Sequence, residues 1–156
     1  MRHLAFCSCL AVLVACAKAD KQPAADTAAA APEAPAMPAA LSVANLTGKW
    51  AMRVMTDTGS APLVTFDMVA GADTSGWTFN FPKRKPIPLR IVALAGDSIV
   101  TQAGPYESVL RKGVQVTTLN TMRLQDGKLV GITIARYATS APDSVVRLRI
   151  EGTRAP

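Results

Sequence analysis

From residue 41 onward, the chain alternates between apolar and polar residues with a period of two. In one run Val64, Phe66 and Met68 alternate with polar neighbours, and in another Leu148 and Ile150 alternate with charged residues. This alternation is typical of β-strands that bury one face. No segment keeps the period of an amphipathic helix. The pattern therefore predicts one domain of short strands over residues 41–156.

Turn-forming residues separate the predicted strands. Asp126-Gly127 is the strongest hairpin signal, because this pair accepts the positive φ angles of a tight turn. Short connections between neighbouring strands favour an antiparallel meander, which closes as a barrel or packs as a sandwich. Closure also removes the exposed sheet edges. We predict an all-β fold, a single antiparallel up-and-down β-barrel of about eight strands, with a β-sandwich as the alternative.

One predicted strand carries three of the domain's few aromatic residues. Trp77, Phe79 and Phe81 alternate along it, so their side chains share one face. That face either lines a ligand cavity or fills the core. All three are candidate ligand-binding residues.

A second candidate site follows Gly104-Pro105, which predicts a turn. This turn would place Tyr106 and Arg111 at the barrel mouth, where they suit recognition of a polar ligand head. The alternative is that Tyr106 caps the core and Arg111 forms a surface pair with Glu107.

Arg136 is a third candidate, because it shares parity with Val130, Ile132 and Ile134 on the strand over residues 129–137. The aliphatic residues are expected to face inward. Arg136 is therefore predicted to be an inward arginine at the barrel end, either a ligand anchor or a structural hydrogen-bond donor.

The first sixteen residues have the layout of an export signal. Arg2 precedes an apolar stretch over residues 4–14, which is too short to span a bilayer as a helix. Leu13-Val14-Ala15-Cys16 resembles the lipobox of bacterial lipoproteins. The resemblance implies a signal peptide over residues 1–15, cleavage before Cys16, and fatty acyl chains such as palmitate on that cysteine. An aspartate after the cysteine commonly signals inner-membrane retention in lipoproteins, and here Ala17 stands there, which implies the outer membrane.

Residues 16–40 are predicted to be a disordered tether that follows the lipidated cysteine. Twelve of residues 17–40 are alanine and four are proline, with no apolar stripe to bury. The prolines would interrupt an alanine-driven helix. The predicted organisation is a signal peptide over 1–15, a lipidated tether over 16–40 and a barrel domain over 41–156.

The start of the domain resembles lipocalin and avidin-like (calycin) barrels. The segment Leu46-Thr47-Gly48-Lys49-Trp50 matches the G-x-W that opens the first strand in those families. The resemblance implies that Gly48 and Trp50 plug one barrel end and that a basic residue of the last strand stacks on the tryptophan. Arg149 is the residue assigned to that role, with Arg147 and Arg154 as alternatives.

The composition excludes much catalytic chemistry. After Cys16 the chain has no histidine and no cysteine. This excludes Ser-His-Asp triads, cysteine nucleophiles, His/Cys zinc sites and disulfides in the domain. Most carboxylates lie in predicted turns, where aspartate is favoured for local hydrogen bonds. We therefore predict no catalytic residue, no metal site and no cofactor.

The chain carries a net charge of +6, and Lys83-Arg84-Lys85 is its densest basic cluster. This cluster either contacts an anionic partner or is a solvated loop stiffened by prolines. The sequence as a whole predicts an exported, lipid-anchored envelope protein that binds an apolar or amphipathic small ligand without catalysis. The alternative is a structural lipoprotein with a filled barrel that contacts an envelope partner or polymer. The expected partners are the membrane through Cys16 and a small hydrophobic ligand or anionic envelope component, and no nucleic acid.

Overall fold

The computed structural model describes residues 40–156, so the predicted signal peptide, Cys16 and residues 17–39 of the predicted tether lie outside the described residues. The described chain folds into eight antiparallel strands, each paired with its sequence neighbours, and the last strand returns to pair with the first. The predicted all-β, up-and-down barrel is therefore confirmed, and the closed sheet excludes a sandwich.

The elements follow one another in simple order. They are α1 (Val43–Leu46), β1 (Gly48–Met55), β2 (Val64–Ala70), β3 (Thr78–Asn80), β4 (Ile87–Ala95), β5 (Ser98–Glu107), β6 (Gln115–Gln125), β7 (Lys128–Tyr137) and β8 (Val145–Arg154). The short helix α1 was not predicted. Ser42 begins it, because its hydroxyl accepts a hydrogen bond from the Asn45 amide and so caps the first turn.

The barrel has two different ends. Helix α1, the 71–77 segment and the two-residue turns Gly96-Asp97 and Asp126-Gly127 lie at one end, which we call the closed end. The connections over residues 56–63, 81–86, 108–114 and 138–144 lie at the other, which we call the open end. Because hairpins with tight turns cannot cover a barrel, side chains and α1 must fill the closed end.

The sheet is uneven around the barrel. The β6–β7 ladder joins ten residue pairs, whereas β2–β3 joins three and β3–β4 joins two. Proline supplies no backbone N–H to a ladder, and Pro82, Pro86 and Pro88 surround the β3–β4 connection. The seam around β3 is therefore held by few backbone hydrogen bonds.

The prediction that Arg136 faces inward is wrong. Arg136 is exposed on the outer face of β7. The inner positions of this strand carry Leu129, Gly131, Thr133, Ala135 and Tyr137, of which the middle three are small. The aliphatic residues that share parity with Arg136 lie on the outer face, namely Val130, Ile132 and Ile134. The interior of an eight-stranded barrel has limited room, so small residues on one wall face large residues on the other.

Gly104-Pro105 does not form a turn between strands. Strand β5 continues through these two residues, and its pairing register with β6 shifts between Ala103 and Tyr106. The irregularity still places Tyr106 at the open end, with its ring directed inward. The next connection is the 108–114 loop, which joins β5 to β6.

Candidate functional site

The closed end is plugged by Trp50 and Arg154. The Trp50 side chain is fully buried, and its indole N–H donates a hydrogen bond of 2.7 Å to the Leu46 carbonyl. The Arg154 guanidinium lies 4.5 Å from the centre of the Trp50 ring, a cation–π distance. It also donates hydrogen bonds of 2.8 Å to the Thr47 carbonyl and 2.6 Å to the Asn45 carbonyl. The arginine thus joins the last strand to the residues that precede the first.

Gly48 makes room for this arrangement. Its φ is +123°, a conformation that other residues rarely adopt, and a Cβ there would lie 3.1 Å from an Arg154 nitrogen. The glycine of the G-x-W segment is therefore favoured by its backbone conformation, and it leaves the guanidinium above it undisturbed.

Arg154 takes the role that the sequence assigned to Arg149. Trp50 is directly opposite Arg154 in the β1–β8 register, and Arg154 shares its parity with the buried Leu148 and Ile150. Arg149 has the opposite parity and donates to the Glu151 carboxylate on the outer face, at 2.9 Å. The parity of β8 was readable from the sequence and would have selected Arg154.

A cavity of about 50 Å³ lies inside the open end. One side is aromatic, since Phe66 packs against Phe79 and Phe81 with ring centres 4.6 Å apart in both pairs. The opposite side includes the polar residues Thr118, Asn120 and Thr133 from β6 and β7, together with Val116 and Ala135 of the same strands. The cavity therefore offers an apolar wall and a hydrogen-bonding wall to the same small volume.

The polar wall is partly satisfied within the protein. The Asn120 amide donates to the Thr101 hydroxyl at 3.3 Å, and the Thr133 hydroxyl donates to the Asn120 side-chain oxygen at 2.9 Å. The Thr118 hydroxyl is buried and makes no hydrogen bond of normal geometry to a protein group, although the Tyr106 hydroxyl is close by. A buried hydroxyl without a partner is costly, so Thr118 is suited to a water or a ligand atom in the cavity.

Tyr106 and Tyr137 stand above this wall at the mouth. Burial raises the pKa of Tyr106 above its ordinary value, an effect that the neighbouring Thr118 hydroxyl opposes. The Tyr106 hydroxyl therefore stays neutral at physiological pH and is able to donate a hydrogen bond.

The 108–114 loop covers the mouth, and we call it the lid. The Ser108 hydroxyl accepts hydrogen bonds from the Leu110 and Arg111 amides at 3.1 and 3.0 Å, which folds the lid into a compact turn. From one side, Arg84 donates to the carbonyls of Glu107 and Ser108. These contacts are made by side chains near the surface.

Arg111 holds the lid from the other side. Its guanidinium lies 4.0 Å from the centre of the Tyr137 ring and forms an ion pair with Asp143. The hydrogen bond from Arg111 holds the pKa of Asp143 below its usual value. The surface pair between Glu107 and Arg111, considered from the sequence, is not formed, because Glu107 instead accepts from the Gly113 amide at 3.1 Å.

The structure brings together three of the six predicted ligand-binding residues. Phe79, Phe81 and Tyr106 line the cavity, and Arg111 holds the lid above it. Trp77 lies at the closed end, where its indole N–H donates to the Asp73 carbonyl at 2.7 Å. Arg136 is on the outer surface.

Sequence reasoning missed the polar wall and Tyr137. Thr118, Asn120 and Thr133 alternate on their strands just as core residues do, and all three are buried. The signal was present in Tyr137 and Ala135, whose parity on β7 matches Thr133 and not Ile134.

Four of the exposed large aliphatic side chains lie at the open end. They are Leu63, Val109, Leu110 and Val145. Val109 and Leu110 also contribute to the cavity lining, so an apolar surface is continuous from the lid into the cavity.

Among residues 40–156, no three histidine, cysteine, aspartate or glutamate side chains come together as a metal site would require. No helix in that described part is both long and apolar enough to cross a bilayer. Compared with known proteins, the chain matches no family model, no curated protein and no solved structure.

Proposed function

We propose that this chain is a non-catalytic binding protein whose open barrel end takes the apolar part of a small apolar or amphipathic molecule. The observation that carries the proposal is the cavity, with its aromatic wall, its polar wall and the unpartnered Thr118 hydroxyl. The aromatic wall offers apolar contact, and Thr118 offers one hydrogen bond, so the ligand carries a small polar group beside its apolar part.

The size of the cavity limits what enters it with the lid in place. An apolar cavity of about 150 Å³ holds benzene, so a cavity of about 50 Å³ holds roughly two or three heavy atoms. A longer ligand requires displacement of the lid, whose inner face bears Val109 and Leu110. Because surface side chains hold the lid, its displacement leaves the barrel sheet intact.

The setting of this activity is the cell envelope. The lipobox-like segment supports export and attachment through acyl chains on Cys16, with the outer membrane as the expected location. The Gly48–Trp50–Arg154 plug and the eight-stranded meander support the resemblance to lipocalin and avidin-like barrels. Small-ligand binding at the open end agrees with that resemblance.

A second candidate function is a structural one, in which a filled barrel contacts an envelope partner. The observation that favours it is the dense packing below the cavity, where Trp50, Met68, Trp77, Ile99 and Leu129 are almost fully buried. In that case the cavity holds only water, bound to Thr118.

The experiment is an NMR titration of residues 17–156 with straight-chain alcohols and carboxylates, from ethanol to dodecanol and from acetate to dodecanoate. We expect saturable shifts of the Ala135 methyl signal, since Ala135 lines the cavity. Thr118→Val should weaken binding of the alcohols by about tenfold, because it removes the free hydroxyl and keeps the shape.

Ala135→Leu should abolish the saturable shifts at the remaining cavity methyl groups, because it fills the cavity. Ala93→Leu is the matched control, since Ala93 is exposed on the outer face of β4. Shifts that never saturate, or that are the same in Ala135→Leu and the parent, would instead support the filled barrel.

A further inference from the structure

The outer face of the barrel carries an aliphatic strip that the core does not use. Val130, Ile132 and Ile134 follow one another along the outside of β7, and Leu119 on β6 is directly opposite Ile134. All four are half-buried. We call these residues the aliphatic strip. It is about one strand wide and runs along the strand direction.

Arginines surround the aliphatic strip on the same wall. Arg123 of β6 is opposite Val130, Arg149 of β8 is opposite Ile132, and Arg147 of β8 is opposite Ile134. Arg136 extends the strip along β7 towards the open end. We call these four residues the arginine frame. Arg123, Arg136 and Arg147 are exposed, and Arg149 is partly so.

Negative charge is scarce on this wall. Glu151, opposite Val130, is the one carboxylate on the outward positions of β6, β7 and β8 among the described residues, and it already accepts from Arg53 and Arg149. The hydrogen bonds from these arginines hold the pKa of Glu151 below its usual value. The wall therefore presents an excess of positive charge around an apolar centre.

The chemistry of the arginine frame suits phosphate. The guanidinium is a planar fork of donors that binds phosphate oxygens in pairs, and its apolar stem covers neighbouring aliphatic surface while its head stays in water. Arg123 and Arg149 line the same surface depression as Val130 and Ile132. An arrangement of aliphatic residues with basic residues beside them is typical of surfaces that bind at a membrane interface.

We propose that this wall of the barrel lies on the surface of an anionic phospholipid bilayer. The arginine frame binds lipid phosphates, and the aliphatic strip contacts the boundary between headgroups and acyl chains. A narrow strip on a curved wall fits this occupant, because a barrel contacts a flat surface only along a narrow zone. The contact depends neither on the cavity nor on acyl chains at Cys16.

Two other occupants fit less well. The centre of a protein interface is enriched in aromatic residues, methionine and arginine. The frame supplies arginine, but neither the strip nor the frame contains an aromatic residue or a methionine. A second copy of the chain would place one arginine frame against another, and like charges across an interface are strongly unfavourable.

The test uses residues 17–156, which lack the leader and Cys16, in sedimentation with lipid vesicles. We expect binding to vesicles that contain phosphatidylglycerol and little binding to pure phosphatidylcholine. Binding should weaken as salt is raised, because salt screens exposed charges. Arg136→Gln/Arg147→Gln should lower the partition coefficient about 25-fold, since each basic residue near an anionic surface contributes about fivefold.

Lys83→Gln/Lys85→Gln is the matched control, because it removes the same charge from the loop before β4. It should change the partition coefficient by about fivefold or less, the effect of distant charge alone. Ile132→Ser should weaken binding about threefold to tenfold without unfolding the barrel, since Ile132 lies outside the core. Circular dichroism of each variant checks the fold.

Equal losses in the two double variants would overturn the proposal, because they would assign the binding to net charge. A larger loss in Lys83→Gln/Lys85→Gln would also overturn it and would place the contact on the loop. The proposal would also be overturned if the protein did not bind phosphatidylglycerol vesicles but was retained on polyglutamate beads, and if Arg136→Gln/Arg147→Gln abolished that retention. The arginine frame would then be assigned to an acidic protein instead.

Discussion

At the closed end, three residues form one plug, in which each makes a contact or leaves a space that another residue needs. Trp50 seals the barrel with its ring, Arg154 covers that ring and binds two carbonyls, and Gly48 leaves space for the guanidinium. The open end differs, since the buried Thr118 hydroxyl makes no hydrogen bond of normal geometry inside the protein, although the Tyr106 hydroxyl is close by. The plug at the closed end needs no other molecule, whereas the Thr118 hydroxyl at the open end is suited to a hydrogen bond with a water or a ligand atom.

Replacing Arg154 should therefore destabilise the barrel. We expect Arg154→Gln to lower the free energy of unfolding by about 2 kcal/mol, through loss of the cation–π contact and of two charge-assisted hydrogen bonds. Urea unfolding measures this change. Arg149→Gln is the matched control and should cost less than about 1 kcal/mol, because Arg149 forms only a surface ion pair. A larger effect at Arg149 would restore the assignment made from sequence.

The buried Tyr106 hydroxyl should ionise above its ordinary range. In an ultraviolet titration, the ionisation step of Tyr106 is the one that is missing from Tyr106→Phe. We expect this step to lie above pH 10. Because the pKa of Tyr106 is higher in the folded protein than in the unfolded chain, where it is about 10, this residue adds stability below pH 10. The added stability is lost as the pH rises through the pKa of the folded protein. Unfolding free energies of the parent should thus fall more steeply than those of Tyr106→Phe above about pH 10. Parallel curves would mean that Tyr106 is open to solvent.

At the scale of elements, the lid and β7 decide what the open end is able to bind. The lid is fastened by Arg84 and Arg111, whereas the cavity wall beneath it belongs to the long β6–β7 ladder. An element held by surface side chains opens at lower free energy than one held by a ladder in the core. The open end therefore combines a rigid wall with a displaceable cover.

Loss of the Arg84 contacts should loosen the lid. We expect amide exchange over residues 109–113 to accelerate about tenfold in Arg84→Gln, which corresponds to about 1.4 kcal/mol for hydrogen bonds to two carbonyls. Lys85→Gln removes the same charge one residue away and should leave exchange unchanged. Hydrogen–deuterium exchange with mass spectrometry measures both. Equal exchange in the two variants would show that Arg84 does not hold the lid.

The strand patterns show which parts of the site were readable from the sequence. Around β3, the three large aromatics Trp77, Phe79 and Phe81 stand at alternate positions and had no alternative to an inner face, and Phe79 and Phe81 do line the cavity. On β7 either set of alternating residues was able to form the inner face of the barrel, and the more hydrophobic set was expected there. Val130, Ile132 and Ile134 are nevertheless outside, and the inner face carries Gly131, Thr133 and Ala135. At Gly131 a Cβ would lie 2.0 Å from the Thr121 carbonyl oxygen of β6, a constraint that depends on packing between strands and that no single strand reveals.

At the scale of the whole molecule, the barrel is closed but unevenly joined. Its fold was predictable, because alternating strands with short turns leave few arrangements without exposed edges. The weak seam at β3 and the small cavity were not, since both follow from strand register around the closed sheet. The polar wall and the lid both lie towards the open end.

The β3 seam should be the first part of the sheet to open. We expect amides of Thr78–Asn80 to exchange faster than those at the centre of β6 and β7, by about a hundredfold or more. The reason is that three and two residue pairs hold β3, whereas ten join β6 to β7. Residue-resolved hydrogen exchange by NMR measures this difference. Uniform protection around the barrel would contradict it.

The most direct test of ligand binding at the open end is native mass spectrometry of the protein purified gently from the cells that produce it. We expect a bound small molecule at near-unit occupancy, released into organic solvent and absent from Ala135→Leu but present in Ala93→Leu. A bare mass in the parent, with nothing extractable and no saturable shift of the Ala135 methyl group, would contradict a ligand-binding role and leave the barrel as a filled structural module.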